Sequence, residues 1–403
     1  MILKDQLLEI VKLQRKEIER MDPGIERELL PEIDTRLPHA AIISGVRRCG
    51  KSTLMKQIMR RGKDYCYFNF EEPRAAGFSL NDFPKLEEAF KECCGNAAYF
   101  MDEIQNVDEW ERFVRRKLDT GGKFVITGSN ASLLSRELGT RLTGRHITHT
   151  LFPFSYIEFL RFLGKKAGAE TFEEYLRKGG FPEFLKYGKE EMLQELFNDI
   201  ITKDVIVRHK IRDEKTVRNI AVFLLSNISR EFSCNSLAKT FGIRSANTAV
   251  SYVGCMEESF LLFTVPIFSF SLKKQQVNPR KVYSIDTGFT AANSASFSAD
   301  RGRILENAVF LHLRRKYREI FYFKGKRECD FIAKNKGKAV YAVQSCLHLD
   351  TDNMEREIEG LKEAMKTLGV KNGVIVTLAQ EDKIDGINIV PAWKWFLKPQ
   401  NAF

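Results

Sequence analysis

Gly45-Val46-Arg47-Arg48-Cys49-Gly50-Lys51-Ser52 has the G-x-x-x-x-G-K-S spacing of a phosphate-binding loop, and Thr53 leads on into a helix-like stretch ending near residue 59. The two glycines let the backbone turn tightly and aim its N–H groups at the β- and γ-phosphates, where a side chain would block close approach. Lys51 supplies a point charge, Ser52 a hydroxyl for Mg²⁺, and the start of the following helix a partial positive charge. The apolar run at residues 40–43 reads as a buried strand, so the loop has the strand-before, helix-after setting that a phosphate site needs. The expected ligands are ATP on residues 45–53 and Mg²⁺ on Ser52.

A second piece of chemistry follows the apolar residues 97–101, where Asp102 and Glu103 end a strand. Asp102 would hold Mg²⁺ through water, and Glu103 would polarise the attacking water. Residues 123–127 form another apolar strand, ending in Thr127-Gly128-Ser129-Asn130. Asn130 or Ser129 is the candidate sensor of the γ-phosphate, and either equally suits capping of a helix over 131–138. Arg141 and Arg145, in the loop 139–145, are candidate fingers acting on a neighbouring subunit's ATP; such an arginine is worth about 10³- to 10⁵-fold in rate where nucleotide hydrolases use one. A solvated surface explains them equally well. His146 and His149 lack a further ligand nearby and read as strand residues.

Strand signals at 40–44, 65–70, 97–101 and 123–127 alternate with helical ones, which predicts a parallel α/β sheet presenting its chemistry at the carboxyl ends of the strands. Residues 150–154 are expected to be its last strand, and Leu3, Leu7, Ile10, Val11 and Ile18 mark a helix packed on it. From about 158 to 211 the pattern is helical, broken by Gly179-Gly180-Phe181-Pro182. Helices near 216–224, 236–241 and 246–258, followed by the apolar 260–268, suggest a winged helix-turn-helix. Arg244 alone precedes its recognition-type helix and Glu257-Glu258 end it, which is poor decoration for reading base edges. A final α/β unit opens after Asn278-Pro279-Arg280.

These segments carry a resemblance. GVRRCGKSTLMKQI, YFMDEIQNVDEW, ITGSNASLLSRELGTRLTGRH and LFPFSYIEFL, with the later GGFPE, NPRKVYSIDTGF, GRILENAVFLHLRR and ECDFIAK, are similar to the prokaryotic AAA-type P-loop ATPases that carry a distinctive C-terminal domain. The match covers nearly the whole chain. It implies an AAA-like ATPase domain over 1–160, a helical lid and winged-helix domain over 161–275, and a restriction-endonuclease-like domain over 276–403. Oligomerisation, with a ring as one form, is implied too, because a finger in trans needs a neighbour.

In the nuclease fold that the tail resembles, a helix Glu, a strand Asp and an acid-x-Lys pair gather Mg²⁺ around a phosphodiester. Glu306, Asp330 and Gln344-Ser345-Cys346 occupy those places. Gln344 is a neutral ligand at best and Cys346 brings no lysine charge, unless the basic group has moved to Lys334 or Lys324. The expectation is a degenerate nuclease. Around these residues lie Arg301, Arg303, Arg314, Arg315, Lys316, Arg318, Lys324, Lys326 and Arg327, interspersed with Phe321, Tyr322 and Phe323, a mixture suited to phosphate contacts and base stacking. A solvated helix face over a buried strand accounts for it as well.

Composition sets the outer limits. The 403 residues are enough for two or three domains, and 43% hydrophobic content is globular. No stretch approaches the roughly 20 apolar residues of a membrane span. The start, Met1-Ile2-Leu3-Lys4-Asp5, lacks a signal-peptide pattern, and eight cysteines without a C-x-x-C pair read as reduced thiols; together these predict a cytoplasmic protein. Lys plus Arg number 64 and Asp plus Glu 53, a net charge of +11 that favours a polyanion such as DNA. The leading expectation is therefore a Mg²⁺-dependent ATPase that binds or remodels DNA, branched or single-stranded forms included. The alternatives are an ATP-gated switch for a protein partner and an ATP-licensed nuclease.

Overall fold

Packing on both faces demands an unbroken apolar strand, and β1 (Ala40–Ser44) is buried at every position. In the computed structural model, which describes residues 2–62, 64–95, 97–129, 142, 144–295 and 300–398, it is joined by β2 (Tyr65–Asn69), β3 (Ala98–Asp102), β4 (Phe124–Gly128) and β5 (His146–Thr150). Among the described residues these five form one parallel sheet in the order β2-β3-β4-β1-β5. α1 (Lys4–Arg20) buries Leu7, Ile10, Val11 and Ile18, the apolar face its spacing predicts. α2 (Lys51–Met59) follows the loop after β1, while α3 (Phe83–Cys94) and α4 (Trp110–Asp119) bring aromatic side chains that pack on each other and on the sheet: Phe83 lies 4.2 Å from Phe113, and Phe113 lies edge-on 6.2 Å from Phe124 of β4, between ring centroids.

The last strand is displaced from the expected 150–154. β5 starts where β1 starts, pairing Ala40 with His146. As an edge strand it carries half-exposed residues that hide it from an apolar scan, whereas Leu151, Phe152 and Phe154 are buried after the strand has ended.

The chain divides into two compact units, Met1–Leu151 and Phe152–Phe403. The break therefore precedes the expected 160/161 boundary, and no break falls at 275/276. The reason is a strand pairing: β6 (Glu231–Phe232) and β7 (Leu262–Pro266) both bond antiparallel to β8 (Arg280–Ser284). The expected winged-helix helices are α5 (Glu214–Ser226), α6 (Cys234–Thr240) and α7 (Ala246–Glu258). Asp286 accepts hydrogen bonds from the Gly180 N–H at 2.6 Å and the Phe289 N–H at 2.9 Å, fastening the Gly-Gly-Phe-Pro turn to the segment after β8. Burial pushes that carboxyl up to about 6 in spite of these donors.

The remainder of the second unit is built on α8 (Arg301–Lys316) and α9 (Met354–Leu368), with β9 (Glu319–Lys324), β10 (Glu328–Asn335), β11 (Lys338–Cys346), β12 (Asn372–Thr377), β13 (Asp382–Ile384) and β14 (Ile387–Pro391). Among the described residues these strands form a mixed six-stranded sheet, ordered β13-β14-β12-β11-β10-β9. No described helix is long and apolar enough to cross a membrane.

A candidate nucleotide site and a second buried lysine

Parallel strands deliver their carboxyl ends to one edge of a sheet, and the strand order decides what meets there. β4 lies between β1 and β3, so Thr127 and Ser129 come between the phosphate loop and the acids. The Thr127 hydroxyl donates to Asp102 Oδ1 and accepts the Glu103 N–H at 3.0 Å. Tyr67 donates to Asp102 Oδ2 at 3.0 Å, and Ser52 also hydrogen-bonds this carboxylate. Glu103 Oε2 accepts from the Ser129 N–H at 3.2 Å and from Gln105 Nε2 at 2.5 Å.

Lys51 is buried. Its ammonium donates to the Gly45 and Val46 carbonyls at 3.2 and 3.3 Å and stands 3.3 Å from Glu103 Oε1. Burial alone would lower its pKa, but Glu103 and then Asp102 outweigh that and hold it above the ordinary lysine value. The two acids move apart. Asp102 is raised by burial and by the adjacent Glu103 charge; Glu103, although buried, is lowered by Lys51 and the Gln105 hydrogen bond.

Both loop glycines are required. A Cβ on Gly45 would stand 2.2 Å from the Leu151 carbonyl oxygen, and Gly50 has φ +99° as it opens α2. Leu151 itself donates its N–H to Ser44 at 2.7 Å, and its carbonyl receives the Cys49 thiol at 3.5 Å. Burial pushes that thiol up, so Cys49 is a packing residue rather than a nucleophile. Arg27, 2% exposed, donates to the Cys49 carbonyl at 2.8 Å; its own N–H donates to Gln57 Oε1, and Gln57 Nε2 donates to the Pro23 and Ile25 carbonyls. The segment before β1 is thereby laced to the loop and to α2. Ser52, Asp102, Tyr67, Asn69 and Glu71 face a cleft of about 480 Å³, placing hard oxygen donors side by side as Mg²⁺ requires.

Of the other expected residues, Arg47 pairs with Glu71 at 3.2 Å, and Arg48 adopts a left-handed φ of +60° within the loop. Thr53 follows Ser52 in α2 and approaches Gly24. Asn130, Arg141 and the expected 131–138 helix lie outside the described residues. Arg145 ion-pairs with Asp119 and accepts the Ala40 N–H on its carbonyl, at the amino end of β1 and so the opposite end of the sheet from the loop. Arg27, Tyr67, Gln105 and Thr127 were not singled out from sequence. Thr127 had a signal, the polar end of an apolar strand, whereas Arg27 had none.

In the second unit Glu306, Asp330 and Gln344 do come together, along a cavity of about 1110 Å³. Of the expected replacements for the missing lysine, Lys324 lines the same cavity but pairs with Glu231 at 2.7 Å, and Lys334 pairs with Glu319 at 3.8 Å. The ammonium that meets these acids is that of Lys281, from β8, 3.1 Å from both Glu306 Oε1 and Asp330 Oδ1 and 2.7 Å from Glu328 Oε1. Despite burial, these acids hold it well above the usual lysine range. The stacking platform is a second correction: Phe321, Tyr322 and Phe323 are buried, because successive side chains of β9 are covered on both faces. Arg315 donates to the Pro153 carbonyl at 2.7 Å and lies over Phe152, and Arg314 lies over Phe263.

Residues 38–160 match the family model described as an AAA domain, and residues 169–299 one described as a domain of unknown function. The uncharacterized protein MJ1544 of Methanocaldococcus jannaschii is 34% identical over 435 residues, with 98% of this chain and 96% of that protein covered. The chain belongs to the family of that archaeal protein. A further relative, an uncharacterized protein of Haemophilus influenzae, is 28% identical over 386 residues, covering 89% of this chain and 94% of its own length. Among solved structures, the Walker-type ATPase of Pyrococcus abyssi is 14% identical and covers 68% of this chain and 99% of that one, at a TM-score of 0.44.

Proposed function

We propose that the chain is a Mg²⁺-dependent ATPase in which residues 45–53 hold ATP and Glu103 orients the water that attacks the γ-phosphorus, ADP departing with the bridging oxygen. The observation that carries this reading is the hydrogen-bonded set Ser52–Asp102–Thr127–Glu103 beside Lys51. Ser52 and Asp102 would hold Mg²⁺, which would neutralise charge on the β- and γ-phosphates. Two of the Lys51 acceptors are neutral carbonyls of the loop itself. Phosphate oxygens are stronger acceptors for an ammonium, so ATP would draw Lys51 outward and release Glu103 for water. Ser129, or Asn130 beside it, would report the γ-phosphate to Glu103, and Arg141 or Arg145 would act on a neighbouring protomer of a homo-oligomer.

The ATP cycle is coupled, in this reading, to binding or remodelling of DNA by the +11 chain. The burial of Phe321, Tyr322 and Phe323 and the exposure of Phe270, Leu272 and Val277 favour a second reading, an ATP-gated switch that binds a protein partner. Turnover measured with single-stranded, duplex and branched DNA at two salt concentrations separates them. DNA-stimulated turnover that falls steeply with salt supports the first reading; absence of DNA binding and stimulation transfers the proposal to the second. Negligible turnover under every condition removes hydrolysis itself.

A further inference from the structure

The resemblance of the tail to metal-dependent nucleases implies a divalent cation between Glu306 and Asp330. The donor atoms do not fit one. The Lys281 ammonium has three N–H donors, and three acidic side chains surround it: Glu306 Oε1 and Asp330 Oδ1 at 3.1 Å and Glu328 Oε1 at 2.7 Å. Those distances suit N–H···O contacts, whereas Mg²⁺ takes oxygens at about 2.0–2.1 Å. Further lone pairs of two of these acids are also engaged. Glu306 Oε1 accepts from the Tyr283 hydroxyl at 2.7 Å, and Asp330 Oδ2 accepts from the Ser345 N–H at 3.0 Å and its hydroxyl at 3.2 Å. The Gln344 carbonyl oxygen, the one neutral ligand the signature retains, accepts the Asp330 N–H at 3.0 Å, and its amide donates to Glu357. Among the described residues, no group of three or more His, Cys, Asp or Glu side chains is placed to hold a metal ion.

We propose that Lys281 is a tethered cation that has taken the place of the divalent metal in this centre, converting a hydrolytic site into an ionic clamp between β8, α8 and β10. Its consequence is that the second unit binds no Mg²⁺ or Mn²⁺ at these acids and cleaves no phosphodiester bond. The clamp adds a second tie across 275/276 to the pairing of β6 and β7 with β8. Lys281 lies on the three-stranded sheet, Glu306 on α8 and Asp330 on the six-stranded sheet, so one ammonium joins three elements that would otherwise have to neutralise their own buried charges. This assignment is independent of ATP hydrolysis in the first unit.

The test is Mn²⁺ binding to the full, nucleotide-free chain, followed by electron paramagnetic resonance titration, in wild type, D330N, K281M and K281M/D330N. Any Mn²⁺ held by Ser52 and Asp102 is common to all four and cancels in the comparison. Wild type and D330N are expected to bind alike. K281M is expected to gain one Mn²⁺ per chain that neither wild type nor D330N holds, and the double variant to lose it. A wild-type Mn²⁺ that D330N abolishes would overturn the assignment, because the lysine would then stand beside a metal rather than in its place. So would a folded K281M that gains no site. Should K281M fail to fold even with Mn²⁺ present, the wild-type and D330N pair still decides.

Discussion

Lys51 and Lys281 are both buried ammonium groups beside strand-end acids, but their surroundings differ in one respect. Around Lys51 the partners are one carboxylate and two backbone carbonyls, and the neighbouring Ser52 and Asp102 face an open cleft. Around Lys281 the acids Glu306, Asp330 and Glu328 close a ring, and Tyr283 and Ser345 engage further lone pairs of Glu306 and Asp330. A site able to receive a charged ligand keeps its cation on acceptors that a phosphate can replace. A centre whose cation is already fully matched resists exchange, since removing one partner strands the others in a poorly solvating interior.

Breaking each centre at its own weak point sharpens the contrast. Glu103→Gln is expected to give the largest effect, a loss of about 10²- to 10⁴-fold in ATP turnover with ATP binding retained, read by steady-state hydrolysis and nucleotide affinity together. Equal losses in turnover and affinity would instead make Glu103 a structural partner of Lys51. Next comes K281M, which leaves carboxylates without their cation and is expected to cost about 3–5 kcal/mol of stability, measured by denaturant unfolding, with turnover of the first unit largely kept. Arg27→Met removes a buried charged donor from the Cys49 carbonyl and is expected to cost about 1.5–3 kcal/mol, appearing as ATP binding weakened by about tenfold or more. Unaltered affinity would show that the loop holds its shape without the preceding segment.

The smallest effect is a pH slope. Burial first, and the Asp330 charge second, push Glu306 up to about 8 against the opposing pull of Lys281, Tyr283 and their hydrogen bonds. Glu328 is the remaining acid on the Lys281 ring. Because the folded-state value lies above the ordinary 4.5, the stability that Glu306 contributes is complete below that ordinary value and is lost as pH rises through about 8. Asp286, pushed up to about 6, accounts for the earlier part of such a decline, and Lys281, raised as well, stays charged throughout. The melting midpoint of the second unit should therefore fall by roughly 2–4 °C for each kcal/mol lost between pH 6.5 and 8.5. E306Q is expected to flatten that portion. An unchanged slope would move its origin elsewhere.

Much of the first site could be read from sequence because its parts are local. The loop, its strand and its helix are contiguous, and Asp102-Glu103 end a strand whose apolar run is unbroken. Strand order is not local. Nothing in residues 123–129 says that β4 inserts between β1 and β3, so the bridging role of Thr127 needed the fold. Arg27 and Lys281 were hidden for the same reason: the first reaches the loop across 22 residues and the second reaches Asp330 across 49. β5 was misplaced because an edge strand shows half-exposed residues where a central one shows apolar ones. The basic and aromatic stretch at 314–327 misled differently, since composition does not say which side chains a sheet covers.

Leu151 is the last residue of the first unit, and its backbone closes over Ser44, Gly45 and Cys49. The polypeptide therefore leaves the first unit directly beside the loop 45–52. A displacement of that loop would carry the backbone of residue 151 with it. The tight fit that forbids a side chain at Gly45 therefore ties the conformation of the loop to the end of the first unit.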